Sequence, residues 1–356
     1  MTEVPSLAFD AIRTAIESTG PITFAEFMEL ALYGPGGFYR TPPVGAGGDY
    51  VTSPHVHPVF CQLVTEAIRE LGDQLGRPTV RLAEMGAGDG TLARCVLAGA
   101  GALQIAYTAV ERSPGARMAL SAIEGIDVRT ELPLAADVVL ANELLDNLPF
   151  RILRGEREVR IGLEGEHLVE VLVPVESELL ASTDTGGDRI APVGALAFID
   201  SLVRAIERGY ALLIDYGGLG STGGPVHGYR GHGVVEDVLA NPGRTDITAG
   251  VDFELVASYA GSLGLAAFPS VTQRDALLAL GLDRWLREQL ERQHRSMDAG
   301  AGTEAVRTWS GRSRASLLID PGGLGRLRWM LLATPGLAAP PWLDRASATT
   351  GYSDRD

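Results

Sequence analysis

The pattern of hydrophobic and polar positions predicts a parallel β-sheet with crossover helices in the middle of the chain. A helix predicted over 59–71 is followed in order by a strand, a glycine loop, a helix and another strand. Parallel strands need such crossovers and read as short apolar runs, because both faces of their sheet are covered. The strands predicted for this sheet are 79–85, 104–110, 137–142, 211–215 and a late, closing strand at 327–333.

The N-terminal part of the chain predicts a helical lid. Apolar residues at helical spacing predict a first helix over 7–16, and Thr23 is placed to cap a second helix over 24–32. Residues 33–58 are rich in glycine, proline and aromatic residues. A loop this long is usually functional or disordered, and its aromatic residues favour an ordered lid.

Further elements are inserted into the sheet pattern. Hydrophobic and polar residues alternate over 159–173 on both sides of Gly165, which predicts an antiparallel hairpin. Asp252 is placed to cap a helix over 253–262, and 285–294 predicts a strongly polar helix. We therefore expect an α/β fold, a Rossmann-like sheet with an N-terminal helical lid and an inserted hairpin and helices.

Composition and charge narrow the class of protein. The 356 residues are 46% hydrophobic and 21% charged, which is ordinary for a folded globular protein. A net charge of −15 without a dense basic run argues against nucleic acid and anionic membranes as partners. The sequence contains no lysine, which excludes lysine Schiff bases and the lysine of phosphate-binding loops.

The sequence also predicts a cytoplasmic protein. It lacks an N-terminal basic region followed by an apolar run, and no stretch reaches the roughly 18 apolar residues of a membrane span. Cys61 and Cys95 lie in apolar helical patterns, where free buried thiols are common. We expect no disulfide framework.

The main chemical signal is Glu-Met-Gly-Ala-Gly-Asp-Gly over 84–90, at the end of the first predicted strand. Glycines in such a loop allow a tight turn and the close approach of a ligand, but their spacing alone also fits a dinucleotide site or a turn that only packs a helix.

Two carboxylates favour an adenosyl cofactor. Glu84 ends the strand, where it could bond an amino group or the amides of the loop, and Glu111 ends the next strand, where a carboxylate accepts bonds from ribose hydroxyls. A nicotinamide enzyme does not need Glu84, and Asp89 would oppose a pyrophosphate. The residues predicted to bind S-adenosylmethionine are Glu84, Gly86, Gly88, Gly90, Glu111 and Asn142.

Eight ordered motifs extend over most of the chain, among them Asn-Glu-Leu-Leu-Asp-Asn-Leu-Pro over 142–149. The others are 21–28, 48–54, 84–92, 214–217, 229–232, 241–243 and 246–253. Together they resemble the MidA family of seven-strand methyltransferases, which includes a mitochondrial complex I assembly factor that dimethylates an arginine. The resemblance implies a seven-strand class I methyltransferase sheet, S-adenosylmethionine as cofactor and a protein arginine as acceptor.

Five positions depart from the usual residues of that family. The family has Pro and Arg where this chain has Ala87 and Asp89, Glu where it has His55, and His where it has Gly218 and Gly250. The cofactor glycines are retained. Because we expect the altered loops to face the acceptor, these departures permit a different substrate.

Methyl transfer is an in-line displacement, so the acceptor must be held roughly 3 to 3.5 Å from the methyl carbon. Carboxylates suit this task when the acceptor is a guanidinium, because they pair with it bidentately. Glu143 and Asp146 follow a strand end, where open α/β sheets bind ligands, so we predict both as catalytic. Asn142 and Asp146 could instead only brace the turn.

His55 is the third predicted catalytic residue. With His57 it would face one side of an extended segment, which allows a metal pair, a general base or a purely structural role. No clear third ligand accompanies them, so no metal is expected. A base at His55 would favour a hydroxyl, carboxylate or amine acceptor over arginine. The residues expected to bind the substrate are Tyr39, Thr52, Ser53 and His232.

The leading functional hypothesis is methyl transfer to an arginine of a protein. A small-molecule or peptide O/N-methyltransferase of specialised metabolism, and an S-adenosylmethionine-binding assembly factor without turnover, remain alternatives. The expected partner is a protein or small-molecule methyl acceptor, and a homodimer is also open. The predicted segments are 1–75 (helical lid), 76–150 (S-adenosylmethionine-binding core), 151–207 (inserted hairpin and helix), 208–340 (rest of the core with a helical insertion) and 341–356 (tail).

Overall fold

The computed structural model describes residues 6–40, 52–175, 179, 181, 187–220, 226–231 and 233–353. The α-helices are α1 (Leu7–Thr19), α2 (Phe24–Met28), α3 (Ser53–Val56), α4 (Val59–Leu75), α5 (Thr91–Gly99), α6 (Pro114–Leu120), α7 (Val193–Ala205), α8 (Phe253–Ser262), α9 (Gln273–Ala279), α10 (Leu282–Asp298), α11 (Gly302–Ser316) and α12 (Pro341–Ser353). A π-helix covers Glu29–Tyr33, and short 3₁₀ helices cover Phe38–Arg40, Leu145–Asn147, Leu317–Ile319 and Leu324–Arg326.

The strands are β1 (Ile22–Thr23), β2 (Thr79–Met85), β3 (Gln104–Val110), β4 (Ile126–Arg129), β5 (Val138–Asn142), β6 (Arg151–Arg154), β7 (Arg157–Glu164), β8 (His167–Pro174), β9 (Arg189–Ala191), β10 (Tyr210–Asp215), β11 (Gly217–Gly218), β12 (His227–Arg230), β13 (Gly233–Val235), β14 (Asp246–Thr248), β15 (Val251–Asp252), β16 (Ala266–Ala267), β17 (Val271–Thr272) and β18 (Arg328–Ala333).

The central sheet has the strand order β16-β18-β10-β5-β2-β3-β4, and β17 also pairs with β18. The strands from β10 to β4 are parallel, whereas β18 runs antiparallel to β10. The predicted Rossmann-like sheet is therefore confirmed, with the predicted strands at or within one residue of their observed ends. Parallel strands bring the residues that follow β2, β3, β5 and β10 to one edge of the sheet.

Both faces of this sheet are covered, which explains the uninterrupted apolar sequences of its inner strands. Leu140 of β5 packs with α4, α5 and α9 on one face, whereas its neighbour Val139 packs with α7 and α8 on the other. Cys61 and Cys95 are both free; the first is buried, whereas the second is partly exposed.

The predicted hairpin forms as β7 and β8, but it belongs to a second sheet rather than to the central one. This sheet has the order β1-β7-β6-β9, with β8 paired to β7. The N-terminal helices pack on it through aromatic residues, and the rings of Phe24 and Phe150 stack with centroids 5.4 Å apart. The N-terminal segment and the insertion therefore share one hydrophobic core.

Side-chain caps fix the predicted helix starts. Thr23 and Glu26 form a reciprocal capping box at α2, and Asp252 accepts the backbone N–H groups of Glu254 and Leu255 at α8. The helix expected over 24–32 instead changes to a π-helix at Glu29. Such π-turns are frequent at functional sites, and this one ends at Tyr33, beside the site described below.

The close packing of β10 beside β5 can be tested at Gly209. A Cβ at this residue would lie 2.1 Å from the carbonyl oxygen of Asp137, whereas a Cβ at Gly261 in α8 would meet nothing within 4 Å. We expect Gly209→Ala to lower the free energy of unfolding by about 1–3 kcal/mol, because the backbone of Asp137 would have to shift to make room for the new methyl group. Gly261→Ala, the control, should be neutral or raise it by up to about 1 kcal/mol. Equal urea midpoints for both variants would contradict this packing.

Candidate active site

A cavity of about 360 Å³ opens at the carboxyl edge of the central sheet. Its walls come from the glycine loop after β2, the segment after β3, the loop after β5, the N-terminal helical segment and α7. Its lining residues include Tyr33, Tyr39, Thr52, His55, Glu84, Gly86, Gly88, Asp89, Glu111, Arg112, Asn142, Glu143 and Asn147.

The glycine loop needs its glycines for two reasons. Gly86, Gly88 and Gly90 have φ angles of +67°, +55° and +77°, a region that residues with a Cβ rarely adopt. A Cβ at Gly90 would also lie 2.5 Å from Ile123 Cδ1. Gly90 thus serves the packing of the loop, while Gly86 and Gly88 line the cavity.

Glu84 and Glu111 occupy the strand ends that the sequence predicted. Glu84 is only 4% exposed and accepts a 2.5 Å hydrogen bond from the hydroxyl of Tyr107; burial raises the pKa of Glu84 to about 8. Glu111 accepts the N–H of Gly88 at 3.0 Å and that of Ser113 at 2.7 Å. Glu111 therefore fixes the shape of the glycine loop.

The N-terminal segment closes one side of the cavity by contacting Arg112, which follows β3. This residue was missed in the sequence analysis. Its guanidinium lies 4.3 Å from the ring centre of Tyr33 and forms an ion pair with Glu29 of the π-helix. The rings of Tyr33 and Tyr39 stack with centroids 5.4 Å apart. Arg112 directly follows Glu111 at the end of a predicted strand, and this position could have identified it from the sequence.

Tyr39, a predicted substrate-binding residue, is held from the opposite side. Its hydroxyl donates to Asp246 at 2.8 Å and accepts from the Asn147 amide at 2.7 Å. These bonds join the N-terminal segment to the loop after β5. His232, another predicted substrate-binding residue, lies outside the described residues.

Asp215 organises the loop after β5, and sequence reasoning did not single it out. Its buried carboxylate accepts the N–H groups of Leu144 at 2.9 Å, Leu145 at 2.6 Å and Tyr216 at 2.8 Å. Burial raises the pKa of Asp215 to about 7, and the bonds from the backbone oppose that shift. Like Glu84 and Glu111, Asp215 ends a parallel strand, which is the signal that could have identified it.

Glu143 is held in a strained conformation at the cavity wall. Its φ is +51°, in the left-handed region that is uncommon for a residue other than glycine, and strain of this kind clusters at functional sites. Its carboxylate accepts the N–H of Ser53 at 2.9 Å and the amide of Asn142 at 3.3 Å. Burial raises the pKa of Glu143.

Asn142 and Asp146 each keep one buried oxygen, Oδ1, without a hydrogen-bond partner in the described parts of the chain. Asn142 lines the cavity, whereas Asp146 is not among its lining residues. Burial, together with the charges of Asp215 and Asp246, raises the pKa of Asp146 well above its usual value. Of the two predicted acidic catalytic residues, only Glu143 faces the cavity.

His55 uses both ring nitrogens within the protein. Nδ1 lies 2.8 Å from the hydroxyl of Thr52, and Nε2 lies 3.1 Å from Oδ2 of Asp89. Two of the five departures from the family pattern, at 55 and 89, therefore contact each other. Gly218 and Gly250, which also depart from the family pattern, do not line this cavity. The expectation that the departures lie together around the acceptor is therefore not met at these two positions.

His57 points to a different environment from His55. Its ring lies 5.0 Å from that of Trp285, and its Nδ1 accepts the N–H of Val59 at 3.1 Å. Among the described residues, no group of three or more His, Cys, Asp or Glu side chains is placed to hold a metal ion. Ser53, expected to bind substrate, is fully buried, and its hydroxyl lies 3.4 Å from Gln273.

A parallel α/β sheet with a glycine loop after its first strand, carboxylates ending its strands and a cleft at its carboxyl edge defines a class I S-adenosylmethionine-dependent methyltransferase. Residues 63–271 match the family model Methyltransf_28, described as an S-adenosyl-L-methionine-dependent methyltransferase. The chain belongs to this family, the MidA family predicted from its motifs. The predicted enzyme class and cofactor are confirmed with it.

Curated relatives carry the name "Protein arginine methyltransferase NDUFAF7, mitochondrial". The protein from Xenopus tropicalis is 31% identical over 331 residues, which cover 78% of this chain and 76% of the relative. The protein from Danio rerio is 29% identical over 322 residues, 76% of each chain. A solved structure of a protein from Burkholderia thailandensis, bound to S-adenosyl-homocysteine, has a TM-score of 0.79 at 24% identity, and the match covers 95% of this chain and 94% of that one. That likeness shows the shared fold.

The prediction of a cytoplasmic protein is wrong by these comparisons, because the curated relatives are named as mitochondrial proteins. It rested on the lack of secretory and membrane signals, whereas organelle import uses a different, amphipathic and arginine-rich signal. Within the described ranges, no helix is long and apolar enough to cross a membrane.

The role of Asp215 can be tested by Asp215→Asn. An amide presents one oxygen where the carboxylate presents two, so at least one backbone N–H would lose its acceptor. We expect the free energy of unfolding to fall by about 2–4 kcal/mol and methyl transfer to be lost. Asp252→Asn is the control, because asparagine caps a helix as well as aspartate does. Equal stability of the two variants in urea would contradict the role given to Asp215.

Proposed function

We propose that this protein transfers a methyl group from S-adenosylmethionine to an arginine side chain of a protein substrate. The observation that carries the proposal is the pair of acceptors at the end of β5, the half-buried Glu143 carboxylate and the buried Asn142 Oδ1 that lacks a partner in the described structure. A buried acceptor without a donor is costly. A guanidinium brings five N–H donors and a positive charge to this wall.

The charge of the cavity supports a cationic acceptor. The carboxylates of Glu84, Asp89, Glu111 and Glu143 line it, and Arg112 carries the one guanidinium among its described lining residues. That guanidinium is already paired with Glu29. Clefts lined by one sign of charge concentrate ligands of the opposite sign. The curated relatives named as protein arginine methyltransferases support the same choice.

The residues around the glycine loop fit the cofactor. The backbone at Gly86 and Gly88 can approach it closely, and the Glu111 carboxylate has lone pairs left for the ribose hydroxyls. Glu84, buried at the cavity wall, suits an ammonium group. When bound, S-adenosylmethionine supplies an electrophilic methyl group on a positively charged sulfur.

Glu143 has two tasks in this proposal. It orients the guanidinium by accepting N–H bonds, so that the nitrogen lone pair faces the methyl group. It also takes the proton that this nitrogen must lose when it gains a methyl group. Because burial raises its pKa, Glu143 is a better proton acceptor than an exposed carboxylate.

The proposal is tested by transfer of label from methyl-labelled S-adenosylmethionine to a cell lysate. We expect label in the protein fraction with the unmodified chain. Glu143→Gln should lose turnover by about 10²-fold or more, with cofactor affinity nearly unchanged, because the amide cannot take the proton. Glu288→Gln, at an exposed position of α10, is the matched control and should transfer normally.

Three results would contradict the proposal. Label only in small extractable products indicates a small-molecule or peptide methyltransferase. Cofactor binding without any transfer indicates an assembly factor without turnover. Full activity of Glu143→Gln removes Glu143 from the chemistry.

A further inference from the structure

The short helix α3 lies between the glycine loop and the loop after β5, and it is hydrogen-bonded to both. Toward the glycine loop, His55 Nε2 lies 3.1 Å from Oδ2 of Asp89. Toward the other loop, the backbone N–H of Ser53 donates to the Glu143 carboxylate at 2.9 Å. Thr52 closes the helix start by a 2.8 Å contact between its hydroxyl and His55 Nδ1. One turn of helix thus joins the two halves of the site.

Asp89 is a firm attachment point for His55. It accepts the backbone N–H of Thr91 at 2.9 Å and the Thr91 hydroxyl at 3.0 Å, which anchors it to the first turn of α5. Partial burial alone would raise the pKa of Asp89, but the hydrogen bonds from His55 and Thr91 lower it to about 2. The carboxylate is therefore ionised at neutral pH.

The opposite side of α3 is fixed to the core. The Ser53 hydroxyl lies 3.4 Å from the buried Gln273 amide, which donates to the Leu318 carbonyl at 3.0 Å and accepts from Trp329 Nε1 at 3.3 Å. Glu143 depends on this arrangement because its carboxylate accepts the backbone N–H of Ser53 in α3 as well as the amide of Asn142. A shift of α3 must therefore move the Glu143 carboxylate.

We propose that His55 is a positioning residue that couples the cofactor loop to Glu143 through α3, and not a general base. Its two ring nitrogens already contact Thr52 and Asp89, and its side chain is only 14% exposed. No ring nitrogen is left for an acceptor. This inference rests on the proposed function in one respect only, namely that Glu143 binds the methyl acceptor. The contacts of His55 do not depend on that function.

A charge-reversal cycle tests the pairing. His55→Glu places a carboxylate against Asp89, and Asp89→Arg places a cation against His55, so each single variant loses the hydrogen bond between the two side chains. We expect each to lower kcat by about 10²-fold, the size expected for a misplacement of roughly 1 Å. The double variant pairs opposite charges and should recover about 10-fold over either single variant, although the bonds of Asp89 to Thr91 stay lost. Losses that simply multiply in the double variant would overturn the pairing.

A conservative variant separates positioning from base chemistry. The amide of His55→Gln can donate to Asp89 and contact Thr52, but it cannot take a proton from an acceptor. We expect it to retain kcat within about 10-fold, whereas His55→Ala should lose about 10²-fold. A folded, cofactor-binding His55→Gln without turnover would establish a base and overturn the inference.

Hydrogen exchange of the Ser53 amide gives a readout that needs no acceptor. This N–H is protected by its bond to Glu143, so His55→Ala should speed its exchange, and His55→Gln and the double variant should not. Unchanged exchange in His55→Ala would overturn the coupling even if the enzyme methylates arginine. Conversely, Ser53 exchange could follow the expected pattern in the His55 variants while Glu143→Gln is fully active. That result would contradict the proposed function and leave the coupling in place.

Discussion

A single buried carboxylate, that of Asp215, holds the loop on which the candidate acceptor site is built. It receives backbone N–H groups from both sides, from Leu144 and Leu145 in the loop and from Tyr216 directly after its own strand. These bonds connect the ends of β5 and β10, which the parallel sheet places side by side. In the loop held there, Glu143 has a left-handed backbone conformation and lines the cavity.

Concentrating carboxylates at this edge has an electrostatic consequence. Burial raises the pKa values of Glu84, Glu143, Asp146 and Asp215, so ionising them together without a cation is unfavourable. Hydrogen bonds from the backbone and from Tyr107 relieve part of this cost. A cationic ligand relieves more, because opposite charge stabilises the ionised forms. This electrostatic balance supports the proposed pairing of a positively charged sulfur with a guanidinium acceptor.

Local sequence patterns predicted much of the frame. Strand ends and helix caps depend on neighbouring residues, so the sequence located them correctly. Examples are the strand ends at Met85, Val110 and Asn142 and the caps at Thr23 and Asp252. The pairings between distant segments could not be read in this way. Ser53 meets Glu143 across 90 positions, and Tyr39 meets Asp246 across 207. For the same reason, the contact of His55 with Asp89 and the second sheet that contains the hairpin could not be predicted.

The nature of the methylated atom tests the central claim most directly, namely that a carboxylate-lined cleft selects a cationic acceptor. Protein labelled from methyl-labelled S-adenosylmethionine should be hydrolysed to amino acids and the labelled product identified by mass spectrometry. The carboxylates around Glu143 predict methylarginine, with label that withstands mild base. Label released by mild base as methanol would reveal a carboxyl ester, and this neutral product of an anionic acceptor would contradict the claim.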